Sequence, residues 1–131
     1  MKLIISISLL FIGISIMAGD TSGTAISKPK ILYGTASFYA NSFQGKKTAS
    51  GEIFSQQKLT AACNILPLGT WIRVTNLRNG RSVLVKVNDR LHAKMKRVVD
   101  LSRSAAVKLN YIQSGLTQVR LEVIGKKKPE E

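Results

Sequence analysis

Three stretches of the chain alternate hydrophobic and polar residues with a period of two, the repeat of a strand whose successive side chains face opposite ways. In "WIRVTNL" (71–77) Ile72 and Val74 share one face while Arg73 and Thr75 share the other, which predicts a half-exposed strand. In "SVLVKVN" (82–88) Val83, Val85 and Val87 alternate with Leu84, Lys86 and Asn88, which predicts a strand nearly buried on both sides. "TQVRLEVI" (117–124) repeats the pattern with Val119, Leu121 and Val123 inward. "ILYGTASFYA" (31–40) is a fourth strand candidate, with Gly34 as a bulge or a point of close approach. Between the first two, "RNGR" (78–81) carries Asn79-Gly80, the favoured pair for a tight type I′ turn because both residues tolerate positive φ.

One short helix interrupts the strands. Ser102 is placed to cap "RSAAVKLN" (103–110), with Ala105, Ala106 and Leu109 on one face and Asn110 as the stop. Short strands, many turns and one small helix predict a mainly β domain, and a small barrel is the form that leaves no open edge. The domain is expected over 31–125, after a small, polar, Pro29-broken linker over 19–30 and before a charged tail over 126–131.

The start of the chain changes the setting. Met1-Lys2 precedes the uncharged run "LIISISLLFIGISIM" and the small residues Ala18-Gly19, the pattern of a secretory signal peptide over 1–18. The run is shorter than the ~20 residues a spanning helix wants, so cleavage is expected to leave no stable membrane anchor. The chain beyond the leader is long enough for one compact domain. The full chain carries +13, and Lys2 is the only charge in the leader, so the surplus stays with the domain. Such basicity favours a polyanion, and export argues for an acidic envelope polymer rather than nucleic acid. Cys63 is the only cysteine, so no disulfide can form within the chain, and His92 is the only histidine, so no Cys/His cluster offers a metal site. No cofactor is expected.

Candidate chemistry narrows to a few acids. Before the tail the domain holds only Glu52, Asp89, Asp100 and Glu122, the last alternating outward in its strand. Asp89 ends the apolar strand in "VNDRLH", and Asp100 comes after the apolar pair in "RVVDLS". A carboxyl at the end of a buried strand is partly desolvated, which suits it to donate a proton. Glu52, in the loop "TASGEIF", is a third candidate beside the same cleft. The competing structural readings are an Asp89–Arg90 ion pair and Asp100 at the helix N-terminus.

In order along the chain, "GTASFY", "TASGE", "LTAA", "LPLGT", "VTNLRNGRS", "VNDR" and "DLS" resemble the rare lipoprotein A (RlpA) family across residues 33–124. The resemblance implies a six-stranded double-psi β-barrel with one or two short helices. It also implies lytic transglycosylase activity on the glycan strands of bacterial peptidoglycan, in the periplasm or cell envelope. An acid protonates the bridging oxygen and then, as a base, helps the sugar's own 6-hydroxyl close a 1,6-anhydro ring. Residue by residue, Asp89, Asp100 and Glu52 fall on the family's catalytic cleft, with Asp89 ranked first. Tyr39, Cys63, His92 and Arg90 fall on the substrate side. Tyr39 and Trp71 are candidates for stacking on sugars, with core packing as the competing role of Trp71.

Two departures stand out. Typical members read "LTAAH" where this chain has Cys63, and a Gly-Pro pair where it has Leu91-His92. A thiol hydrogen-bonds weakly and does not replace an imidazole that orients or charges a neighbour, so His92 is a candidate to supply one from the other side. The alternatives to catalysis are an expansin-like barrel that binds glycan without cleaving it, and an interaction module for other envelope or division proteins. A monomer is expected.

Overall fold

The computed structural model describes residues 30–130; the expected signal peptide and all but the last residue of the expected linker lie outside them. Six strands close into a barrel: β1 (Ile31–Phe38), β2 (Thr60–Ala62), β3 (Trp71–Asn76), β4 (Ser82–Asp89), β5 (Val99–Leu101) and β6 (Thr117–Gly125). Around the wall the order is β1-β5-β2-β4-β3-β6, with β6 returning to β1. Two pairings are parallel, β1 with β5 and β2 with β4, and the others are antiparallel. A parallel neighbour cannot be reached by a hairpin, so the connections cross over the barrel ends. The helix α1 (Arg103–Leu109) packs against β4 and β1 and buries Ala105, Ala106 and Leu109.

The alternating residues form the core. Ile72, Val74, Val85, Val87, Val119 and Leu121 are fully buried inside the barrel, each contributing about 1.5–3 kcal/mol by leaving water. Leu84 is buried as well, so β4 is covered on both faces as its composition requires. Gly34 is the point of close approach rather than a bulge. Its register against β6 is unbroken, and a Cβ there would lie 2.7 Å from the Cβ of Val98. Ser102 caps α1 by accepting from the Ala105 N–H, and Asn110 ends it in the left-handed conformation.

The β3–β4 connection departs from the expected type I′ turn. Gly80 has φ +78°, but Asn79 is not among the residues with positive φ, and the loop is longer than two residues. The Asn76 carbonyl accepts from both the Asn79 and Gly80 amides, and Asn76 N–H donates to Arg81 O. The reason lies in side chains. Buried Asn76 donates through Nδ2 to Leu109 O and accepts at Oδ1 from Arg78 N–H and the Thr117 hydroxyl, while Asn79 Nδ2 also donates to Leu109 O. The loop is shaped to satisfy the last carbonyls of α1, and a two-residue turn would not reach them.

Beyond β6 the chain folds back on the wall. Lys126 Nζ donates to Leu68 O, and Lys128 Nζ sits 5.6 Å from the centroid of the Trp71 ring.

Candidate active site

The short strand β2 brings the two aspartates together. Ala62 is the register partner of Asp89 on β4 and of Asp100 on β5, so the three residues lie side by side across the wall. Two strand spacings, about 10 Å, separate the aspartate backbones, and Ala62 between them is too small to obstruct their side chains. A break in register between Ala61 and Ala62 advances β4 by one residue and sets Asp89 opposite Ala62. Above this row opens a groove of about 540 Å³. Asp89, Asp100, Arg90, His92 and Arg97 line it, with Phe38, Phe43 and Met95 among its apolar walls.

The two carboxylates have different partners. Asp89 Oδ2 accepts from the Tyr39 hydroxyl at 2.7 Å, and Oδ1 accepts from the backbone amides of Ala49 (2.9 Å) and Arg90 (2.8 Å). Both oxygens of Asp100 are held by one guanidinium: Arg97 Nε donates to Oδ1 at 2.8 Å and Arg97 Nη2 to Oδ2 at 3.1 Å. Burial pushes the Tyr39 phenol well above its ordinary value, and the hydrogen bond and charge of Asp89 and the charge of Asp100 add to it. The phenol therefore stays protonated, and in this geometry its hydroxyl donates to Asp89. Tyr111, raised by burial and by Asp100, braces the other side by donating to Ser37 O next to the β1–β5 pairing.

Residues 32–121 of this barrel match the family described as lytic transglycolase, a double-psi β-barrel family. The chain belongs to this lytic transglycolase family. It is 47% identical over 102 residues to the endolytic peptidoglycan transglycosylase RlpA of Campylobacter jejuni, covering 78% of this chain and 37% of that protein. To the RlpA of Pasteurella multocida it is 50% identical over 91 residues, covering 70% of this chain and 31% of the relative. The chain thus spans about a third of the length of these curated relatives. Among solved structures, the Streptomyces papain inhibitor aligns with a TM-score of 0.60 at 22% identity, over 72% of this chain and 94% of that one. An expansin of Clavibacter michiganensis aligns with 0.60 at 21%, over 78% and 53%. These likenesses show a shared fold.

Against the residues that the RlpA-like motifs single out, the lytic transglycolase barrel of this chain makes several corrections. Glu52 does not join Asp89 and Asp100. The loop carrying it gives Ala49 N–H to Asp89, but the Glu52 carboxylate turns to the far side, accepting from Ser50 Oγ at 2.9 Å and pairing with Lys86 Nζ at 3.4 Å. The Ser50 bond, then Asn88 and Lys86, hold its carboxyl below the ordinary value, against a smaller opposing effect of burial. That is the reverse of what a proton donor wants.

Cys63 is fully buried in the main core and does not line the groove. Only its backbone serves the site, donating N–H to Asp89 O and accepting from Arg90 Nη1. Arg90 forms no side-chain ion pair with Asp89; its Nη1 also donates to Leu66 O at 2.8 Å, so it clamps the 63–66 turn beneath the groove. Tyr39 is no open sugar platform. Its ring is buried, stacked on Phe54 at 4.0 Å and edge-on to Phe43 at 5.5 Å. His92 is exposed on the groove wall, where its Nδ1 accepts from Lys94 N–H. Trp71 is half-buried on the outer wall rather than in the core, in a different groove.

Arg97, which holds Asp100, is a groove residue that the motifs do not single out. Its spacing of three before Asp100 is visible in the sequence, but nothing in a coil segment fixes where such a side chain turns. Phe43, 46% exposed at the groove, ends a 3-10 turn over Asn41–Phe43 that is too short to show a periodicity.

Proposed function

We propose that this barrel is a lytic transglycosylase acting on the glycan strands of peptidoglycan, with Asp89 as the acid and base and Asp100 as the charge beside it. The reading rests on one observation: two carboxylates at matched register positions, in one groove, with partners of opposite capability. Arg97 is all donors, so a proton on Asp100 would face a group that cannot accept it. The Tyr39 hydroxyl can rotate from donating to accepting, so Asp89 can gain or lose a proton without stranding its partner.

In the forward step Asp89 gives its proton to the glycosidic oxygen as the C1–O bond breaks. The positive charge developing at C1 faces the ionised Asp100. Asp89, now a carboxylate, takes the proton of the sugar's 6-hydroxyl as O6 bonds to C1. The proton count on Asp89 is restored, no water is consumed, and a 1,6-anhydro end is left. Phe43, Phe38 and Met95 supply apolar contact for sugar faces, and His92 stands on the groove wall. The setting is the envelope of a bacterium, reached by export through the 1–18 segment, with the chain working as a monomer and other envelope or division proteins as further partners.

The test is digestion of purified sacculi and mass analysis of the products. The expected result is anhydro-ended sugars, reduced about 10²–10⁴-fold in Asp89→Asn. Co-sedimentation with sacculi and no products would replace this reading with non-catalytic glycan binding. Absence of both would leave an interaction module.

A further inference from the structure

A second groove of about 540 Å³ lies on the outer wall, over β2, β4 and β3. Its charge is one-sided. Thr60, Lys86 and Trp71 form one register row across the three strands, and Arg73 opposite Leu84 forms the next. Lys58 enters from the segment before β2, and Lys108 from the last turn of α1. Lys128 arrives from the chain beyond β6 and rests over Trp71, which places its ammonium above the indole face. Four lysines, Lys58, Lys86, Lys108 and Lys128, thus line the groove with one carboxylate, Glu52, itself paired with Lys86. Like charges gathered this way repel one another unless an anion joins them.

The two grooves are neighbours. The loop over Thr48–Glu52 is the ridge between them, with Ala49 bonded to Asp89 on one side and Glu52 to Lys86 on the other. Along β4, Lys86 and Asp89 are three residues apart, about 10 Å, of the order of one disaccharide. Peptidoglycan, the proposed substrate on which this inference rests, has a matching chemistry. Every second sugar of its glycan bears a lactyl ether, whose carboxyl is free once the peptide has been removed.

We propose that the basic groove is a subsite for the lactyl carboxylates of a glycan strand that runs on from the Asp89–Asp100 groove across the Thr48–Glu52 ridge. The cations take the carboxylate and the Trp71 ring takes the apolar face of its sugar. A strand held at both grooves is fixed in register, so the bond presented to Asp89 is set by where the carboxylates fall.

The experiment uses the Asp89→Asn chain, so that binding is read without cleavage. Its probes are sacculi stripped of peptides by an amidase, the same sacculi after carbodiimide coupling to a neutral amine, and vesicles of anionic phospholipid. The stripped sacculi are expected to bind, and amine coupling to weaken binding at least tenfold. Adding Lys58→Gln, Lys108→Gln and Lys128→Gln together should match that loss, with the thermal midpoint retained as the check on folding. Trp71 is the only tryptophan, so its fluorescence should change with soluble peptide-free glycan and stay unchanged with the amine-coupled form. Equal binding to coupled and uncoupled sacculi would overturn the subsite. So would a triple variant that loses vesicle binding but keeps sacculus binding, which would assign the groove to a membrane surface. Failure of wild-type cleavage alone would sink the catalytic reading and leave the carboxylate dependence standing, so the two failures are separable.

Discussion

Tyr39 joins the aromatic cluster to the reacting carboxylate through one hydroxyl. Tyr39→Phe keeps the stack on Phe54 and removes only the bond to Asp89. The expected loss is about 1.5–3 kcal/mol in urea unfolding, with cleavage of sacculi falling about tenfold or more; unchanged cleavage would show that the hydroxyl has no part in proton handling. Cys63 gives the opposite kind of prediction. It is fully buried, so Cys63→His must fit an imidazole into a packed core, and a stability loss of about 1–3 kcal/mol is expected without a gain in cleavage. The thiol should resist alkylating reagents until the barrel unfolds. Position 63 is recognisable in sequence because its neighbours are. Whether its side chain faces the groove or the core depends on the register break in β2 beside it, and three-residue strands carry too little periodicity to reveal that.

Elements show the same division. β3, β4 and β6 are legible because each runs long enough for alternation to repeat, and α1 because Ser102 and Asn110 bracket it. β2 and β5 are short and are assigned only by their partners, so the row Asp89–Ala62–Asp100 is not legible as a row. Glu52 is expected beside that row from its Gly-Ser loop and the "TASGE" motif; the loop does touch Asp89, and only the direction of one side chain separates the two grooves. Two substitutions test how elements are joined. Gly34→Ala sets a methyl 2.7 Å from Val98 Cβ, with an expected cost of about 1–3 kcal/mol. Val98→Ala should recover part of it in a double-mutant cycle; additive losses would mean the backbone, not that contact, bears the strain. Asn76→Ala strips partners from Leu109 O, Arg78 N–H and the Thr117 hydroxyl together, so a loss of about 2–4 kcal/mol in urea unfolding is expected.

For the whole molecule, the two buried tyrosines contribute a pH dependence at the alkaline end. Their folded values lie above the ordinary 10.0, so the unfolded chain releases those protons first. Their contribution to stability is full below about pH 10 and declines as pH rises beyond it. The tyrosinate absorbance of Tyr39 and Tyr111 is expected to appear together with loss of far-ultraviolet ellipticity, and its appearance in a still-folded barrel would contradict their burial.

The pairing of β1 with β6 carries a kinetic consequence. The first and last strands of the domain complete one another's hydrogen bonds, from Ile31 opposite Glu122 to Ala36 opposite Thr117. Contacts so distant in sequence make the search for the native state slow. A nascent chain ending at Leu109 would leave β1 and β3 with bare edges, open to pairing with other chains. The barrel therefore has no stable half, and protection from self-association arrives only when its final strand does.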